Sequence, residues 1–264
     1  MHIDSIAKKL FLTFKFLLKD FSYKMRRLIY IERSKILPEL SENGYYVINN
    51  FLDSDTCEKI ITDIDTFITK YPKEVYDVKN KNSDFRLWGF EKYSINAKNF
   101  LEDERLKKIV INYDTLSVIN NSFVLAAKLV HTKDFLGSGG GEWHRDRTFR
   151  KFKYCKALVY LNDVNDNNGP FQYIRGSHKL SFLIKNFIKK NYDYSKNFFL
   201  DKEIEINFSN KISTFCKKRG TAIIFDGTGI HRGKPINQGK RYAITNYYRQ
   251  SDEEFPFKMI NRKK

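Results

Sequence analysis

The chain predicts a mainly β fold, a barrel or sandwich carrying helices at its flank. Two observations support this. From Phe123 onward, short runs rich in Val, Ile, Phe and Tyr are separated by Gly, Asn and Asp turns, the pattern of closely spaced strands. The 264 residues are 41% hydrophobic and 16% aromatic, enough for one sizeable core and too apolar for a disordered chain.

Taken in order, residues 3 to 36 predict one long amphipathic helix. Ile3, Ile6, Ala7, Leu10, Phe14, Leu17, Leu18, Phe21, Met25 and Leu28 follow the three-and-four spacing of a single face. Lys8, Lys9, Lys15, Lys19, Lys24, Arg26 and Arg27 occupy much of the remainder, and residues 1–36 carry a net charge of +6. Such a helix either lies in a membrane interface or packs its stripe on the following domain or a second copy. Pro38 ends it, so the expected division is a basic amphipathic helix over 1–38 and a β domain over 39–264. "NGYYVINNFL" predicts a short strand, and Asp53 or Ser54 caps a helix running to about Lys70. Residues 72–100 are mixed and loop-rich, and "EDERLKKIVINYDTLSVIN" is a second helical stretch. "FVLAAKLVH", "YCKALVYLNDV", "GPFQYIRGS", "GTAIIFDG" and "KRYAITNYYRQ" supply the strands.

The net charge of +17 fits a polyanionic partner, or a composition in which Lys, Asn, Ile, Phe and Tyr are all plentiful. The Lys residues are scattered without a dense run, which favours composition, and nucleic acid is not expected as a partner. Cys57, Cys155 and Cys216 are far apart and form no C-x-x-C, so neither a zinc knuckle nor a disulfide framework is predicted. Free thiols and the lack of an 18-residue apolar run point to the cytoplasm, with peripheral membrane contact through the first helix as the open question.

The chemistry begins at "GSGGGEWHRDRTF". His144 and Asp146 stand two apart, and on a strand both side chains leave the same face. One imidazole and one carboxylate, completed by a distant His, form the facial triad of iron(II) oxygenases. That triad leaves positions open for a chelating co-substrate and oxygen. On its own H-x-D is a weak signal. His2, His131, His178 and His231 compete for the third place. His231 is favoured because Arg241 follows ten residues later on an alternating strand, with Gly233, Pro235 and Gly239 between them. Those residues favour a turn that would pair the two strands as a hairpin. A guanidinium there suits the distal carboxylate of a dicarboxylic keto-acid.

"WHRD", "ALVYLNDVNDNNGPFQYIRGSHK" and "GTAIIFDGTGIHRGKPINQGKRYAITNYY" together resemble the phytanoyl-CoA dioxygenase family, as does the opening "LSENGYYVINNFLDSDTCEKI". The resemblance spans roughly residues 40 to 250. It implies a double-stranded β-helix, a cupin-like jelly roll with iron between two facing sheets. It also implies that an Fe(II)- and 2-oxoglutarate-dependent dioxygenase uses O2 to hydroxylate a substrate, releasing succinate and carbon dioxide. His144, Asp146 and His231 then correspond to the metal ligands and Arg241 to the 2-oxoglutarate clamp. Asp146 departs from halogenating relatives, which place a small residue there, so hydroxylation or a desaturation-like outcome is expected.

Around the site, His178 and the Asn168-Gly169-Pro170 turn are expected to be structural, while Asn162, Asp163 and Gln172 face either the cavity or a turn. Arg145, Arg147, Arg150, Lys151, Lys153 and Lys156 cluster near the triad. Alternation sends Arg145 and Arg147 outward, giving either a solvated rim or a mouth for an anionic substrate. The expected partner is a small or carrier-, lipid- or glycan-linked metabolite, with oligomeric state open. The competing function is a non-catalytic barrel of the same ancestry that binds an anionic polymer or membrane surface.

Overall fold

The computed structural model describes residues 10–15, 17, 18, 21, 38–77, 82–113, 122–132, 141–146, 155–189, 196–248 and 257–261. The helix expected over 3–36 therefore lies mostly outside the described residues. Those that are described are helical, and Leu10, Phe11, Phe14, Leu17, Leu18 and Phe21 are exposed on them.

Helix α1 (Pro38–Asn43) leads into strand β1 (Tyr45–Ile48) and α2 (Ser54–Lys70). Asp53 caps α2 as expected, its Oδ1 accepting from the Thr56 amide at 2.7 Å. The stretch expected to be loop-rich holds β2 (Tyr76–Asp77), β3 (Asp84–Trp88) and α3 (Ile95–Leu101). Ser94 caps α3 and donates to Asp63 Oδ2 at 2.6 Å, tying the helix to α2. Next come α4 (Glu104–Tyr113), β4 (Phe123–Val130), β5 (Trp143–His144), β6 (Cys155–Tyr160) and β7 (Phe171–Ile174). The chain continues through α5 (Leu180–Lys189), β8 (Phe198–Phe199), α6 (Asp201–Phe208) and β9 (Ile212–Phe215). It closes with β10 (Ala222–Asp226), β11 (His231–Gly233) and β12 (Lys240–Tyr247).

The strands form two antiparallel sheets, one ordered β1-β10-β6-β12-β4-β3-β2 and the other β8-β5-β11-β7-β9. Consecutive strands alternate between the sheets from β4 to β7, and again from β9 through β12. That is the winding of a double-stranded β-helix, and the jelly-roll expectation holds.

Side-chain alternation sorts each strand of the large sheet into two layers. On its outer face Val124, Ala126, Ala157, Val159, Ile224, Tyr242 and Ile244 pack against Ile60, Ile64 and Phe67 of α2, Phe100 of α3 and Leu106 and Val110 of α4. On its inner face Tyr160, Ile223, Phe225 and Ala243 meet Phe171, Tyr173 and Phe215 from the small sheet. A third cluster of Trp143, Ile174, Phe199 and Ile230 lies under α5 and α6 through Phe182, Ile204 and Phe208. Each fully buried side chain of this size contributes about 1.5–3 kcal/mol relative to exposure, so the layers hold the two sheets at a fixed separation.

The hairpin expected between His231 and Arg241 is not formed. β11 pairs with β5 and β7 in the small sheet, whereas β12 pairs with β4 and β6 in the large one. The Gly- and Pro-containing turn carries the chain from the small sheet to the large one, so His231 and Arg241 stand on facing sheets.

Candidate metal centre

His144 and His231 are direct register partners on β5 and β11. Cross-strand partners share a face, which brings their ring centroids to 4.5 Å. β5 ends at His144, so Asp146 is not on a regular strand as expected. It follows in a bend held by its amide donating to Gly227 O at 3.0 Å, and its carboxylate still turns to the histidines. Oδ1 lies 3.9 Å from His144 Nε2 and Oδ2 lies 3.5 Å from His231 Nε2. One ligand atom from each residue falls within 4.8 Å of the others, the one such group of three among the described residues.

The imidazoles are oriented by their far nitrogens. His144 Nδ1 is 2.7 Å from Glu142 O and His231 Nδ1 is 2.9 Å from Gly229 O. A carbonyl only accepts, so each Nδ1 carries the proton and each Nε2 presents its lone pair to the centre. Burial pushes the His231 pKa down to about 3, with Asp146 opposing, so the ring is neutral at physiological pH. Burial raises the Asp146 pKa, but Lys156, His231 and His144 outweigh it and hold the carboxyl below its ordinary range. The result is a donor set of two imidazole nitrogens and one carboxylate, with Asp146 Oδ2 buried and without a hydrogen-bond partner. A bare buried acceptor costs about 1–3 kcal/mol unless a ligand takes it. This set fits a divalent transition metal.

Arg241 projects from the inner face of β12 in phase with Ala243, which belongs to the core between the sheets. It is 6% exposed, and its Nε and Nη1 are buried without partners. Burial pushes its pKa down, against Tyr160 and Asp84, yet a guanidinium stays charged. Opposite it, Gly169 has φ +72°, and a Cβ there would stand 3.3 Å from Arg241 Nη1 and closer still to the Lys234 carbonyl. A buried cation with bare donors calls for an anion.

A buried network beneath β11 holds His231. Asp226 accepts from Tyr113 Oη at 2.7 Å, from the Thr228 amide at 2.9 Å and from Thr228 Oγ1 at 2.6 Å. Tyr173 Oη donates to Asp226 O at 2.9 Å, and Gly229 admits that ring because a Cβ there would collide with it. Neither Asp226 nor Tyr173 was singled out from the sequence, since a carboxylate ending a strand beside a Gly-rich turn reads as turn chemistry.

Other expectations divide. His178 is structural, with Nε2 3.0 Å from Ser41 O; His131 ends β4 away from the triad group, and His2 lies outside the described residues. Asn162 and Asp163 serve turns: Asn162 Oδ1 accepts from the Tyr242 amide and Asp163 Oδ1 from the Arg219 amide. Gln172 faces away from the cavity, bonded to Thr214 and Arg232. Arg145 is not solvated. It faces away from the triad as alternation sends it, but that face is covered: Arg145 is 8% exposed, its Nη1 donates to the Ser177 and Thr228 carbonyls, and its guanidinium lies 5.9 Å from the Phe199 ring in the layer under α5 and α6. Lys156, expected with the rim cations, is buried with Nζ 2.8 Å from Asp146 Oδ1. Arg147, Arg150, Lys151 and Lys153 lie outside the described residues.

A jelly roll with a His-Asp-His donor set defines the class of non-haem iron(II)- and 2-oxoglutarate-dependent oxygenases. Within that class the chain belongs to the phytanoyl-CoA dioxygenase (PhyH) family, which it matches over residues 40–243. No curated protein matches it in sequence. Among solved structures it is similar to HygX from Streptomyces hygroscopicus with nickel, 2-oxoglutarate and hygromycin B bound. That likeness has 18% identity and a TM-score of 0.54, covering 83% of this chain and 87% of that one. It is also similar to the epimerase SnoN in complex with Fe3+, alpha-ketoglutarate and nogalamycin RO, at 11% identity and TM-score 0.60, covering 81% of each. A prolyl-4-hydroxylase from Pseudomonas putida follows at 14% identity and TM-score 0.52, covering 82% of this chain and 97% of that one. At these identities the likeness is one of fold.

Proposed function

We propose that the protein hydroxylates a small or carrier-linked metabolite, with Fe(II) held by His144, Asp146 and His231 and 2-oxoglutarate clamped by Arg241. The observation that carries this is the pairing of two unmet demands on the two facing sheets. A buried carboxylate oxygen is bare between two imidazole lone pairs, and a buried guanidinium is bare on the facing sheet. When bound, iron(II) together with 2-oxoglutarate activates oxygen for oxidation of the substrate. The chain's own contribution is positional. Glu142 O and Gly229 O fix the two rings, Asp146 stays ionised, and Arg241 offers a buried charged fork beside the apolar layer of Phe171, Phe225 and Tyr160. The carboxylate at position 146 occupies the place that a halogenating enzyme leaves open to chloride, which supports hydroxylation.

We further propose that the first helix recruits the enzyme to a membrane surface. The exposure of Leu10, Phe11, Phe14, Leu17, Leu18 and Phe21, beside Lys8, Lys9, Lys15 and Lys19 in the sequence, supports residues 1–38 acting as an interfacial anchor for a domain formed by 39–264. Flotation with anionic vesicles should carry the full chain and leave a variant lacking residues 1–36 behind. Equal flotation of both would end the anchor reading.

The catalytic reading is tested by adding Fe(II) and then 2-oxoglutarate to the protein without oxygen. A weak visible charge-transfer band should appear, and admitting oxygen should release succinate. Absence of both leaves a binding barrel, and turnover that persists in Arg241→Ala points to an iron enzyme without a keto-acid.

A further inference from the structure

Lys156 sits on the inner face of β6, opposite Tyr247 of β12 and Phe225 of β10 in register. It is 4% exposed, its Nζ lies 2.8 Å from Asp146 Oδ1, and the cation rests 4.0 Å from the Tyr247 ring centroid. Thus the two oxygens of Asp146 are treated differently. Oδ1 is capped by a lysine held in place by an aromatic face. Oδ2 has no partner and points to His231 Nε2. A buried ion pair is at best weakly stabilising compared with apolar side chains of the same volume, so fold stability alone gives little reason for one here. Leaving the second oxygen bare adds a further penalty that only a ligand on that oxygen removes.

We propose that Lys156 is a positioning residue that keeps Asp146 a one-oxygen metal ligand through Oδ2, an inference that rests on the metal reading above. Two imidazoles and one carboxylate oxygen leave the positions that a chelating keto-acid and oxygen require. A carboxylate free to swing both oxygens onto the metal would take one of those positions. By occupying Oδ1, the lysine reserves it.

The test uses Co(II) as the probe on the full-length apoprotein. Lys156→Met should tighten Co(II) binding severalfold, because the freed Oδ1 adds a second carboxylate contact and a cation beside the metal is removed. It should also shift the visible d–d bands and weaken 2-oxoglutarate binding to the Co(II)-loaded protein. A merely structural lysine would lower the melting temperature and leave affinity and bands unchanged, and that result overturns the proposal. In wild-type protein, which needs no folded variant, the Asp146 carboxylate stretches on Co(II) binding should show the wide splitting of one-oxygen ligation. A narrow splitting overturns the proposal as well. Failure of the wild-type protein to bind Co(II) would instead remove the metal reading, and this inference with it.

Discussion

At the scale of single residues, the site is built from side chains left unsatisfied. Arg241 gives the sharpest case, because its function and its contribution to folding have opposite signs. Two buried guanidinium donors without partners burden the empty protein by about 1–3 kcal/mol. Arg241→Met keeps the length and removes the burden, so the apoprotein should melt at the same temperature or a few degrees higher. In exchange, the carboxylate partner is lost. We expect kcat/KM for 2-oxoglutarate to fall roughly 100-fold, equivalent to about 3 kcal/mol, with stabilisation by the keto-acid abolished. Thermal melts with and without 2-oxoglutarate check both halves. A markedly less stable apoprotein that still responds to the keto-acid would show the guanidinium to be a structural group.

At the scale of elements, the placement of His231 depends on the turn after β10 more than on β11, which is only three residues long. Asp226, 1% exposed, receives hydrogen bonds from α4 and from two atoms of Thr228, so it joins the helical layer to the metal wall. Asp226→Asn preserves shape but replaces an acceptor with a donor facing donors. The expected loss is about 2 kcal/mol, or roughly 4–8 °C in melting temperature, with Co(II) affinity falling in parallel. An unchanged melting curve would show that the turn is held by its backbone alone. Gly229→Ala should act through the same turn by driving Tyr173 away from Asp226 O, and circular dichroism melts would report it.

The same elements explain what the sequence made legible. β4, β6, β7, β10 and β12 are four to eight residues long, β-rich and bounded by turn residues, and each is visible as a run. β5, β8 and β11 span two or three residues, too few to display a period, so the strands that carry the histidines were found by chemistry rather than by pattern. The expected hairpin failed for a related reason. A turn-rich ten-residue interval suits a hairpin and an inter-sheet crossing equally, and the choice is made by partners distant in sequence. Lys156 was hidden because β6 is buried on both faces, which removes the polar alternation that would have marked its side chain as inward.

At the scale of the whole molecule, the metal centre makes stability depend on pH. The His231 pKa of about 3 lies well below the ordinary value of about 6.5. Between those values the unfolded chain binds a proton that the native chain does not, so stability rises with pH in this window and is lost as pH falls from 6.5 towards 3. The slope approaches about 1.4 kcal/mol per pH unit. Asp146, held below its ordinary range chiefly by Lys156 against the effect of burial, adds a loss in the same direction, but only as pH falls through the carboxylate range. With a net charge of +17 at neutrality, each further proton also increases self-repulsion. His231 is separable from the other two because its window opens first. Between about pH 6.5 and pH 5, urea midpoints of the wild-type apoprotein should fall more steeply than those of His231→Gln, whatever the offset between the two at pH 7.5. Metal should steepen the wild-type curve, because protons and metal compete for the same Nε2. Parallel curves for the two proteins would mean that the imidazole is solvated in the native state, and a solvated His231 is not the buried, pre-oriented ligand on which the proposed chemistry depends.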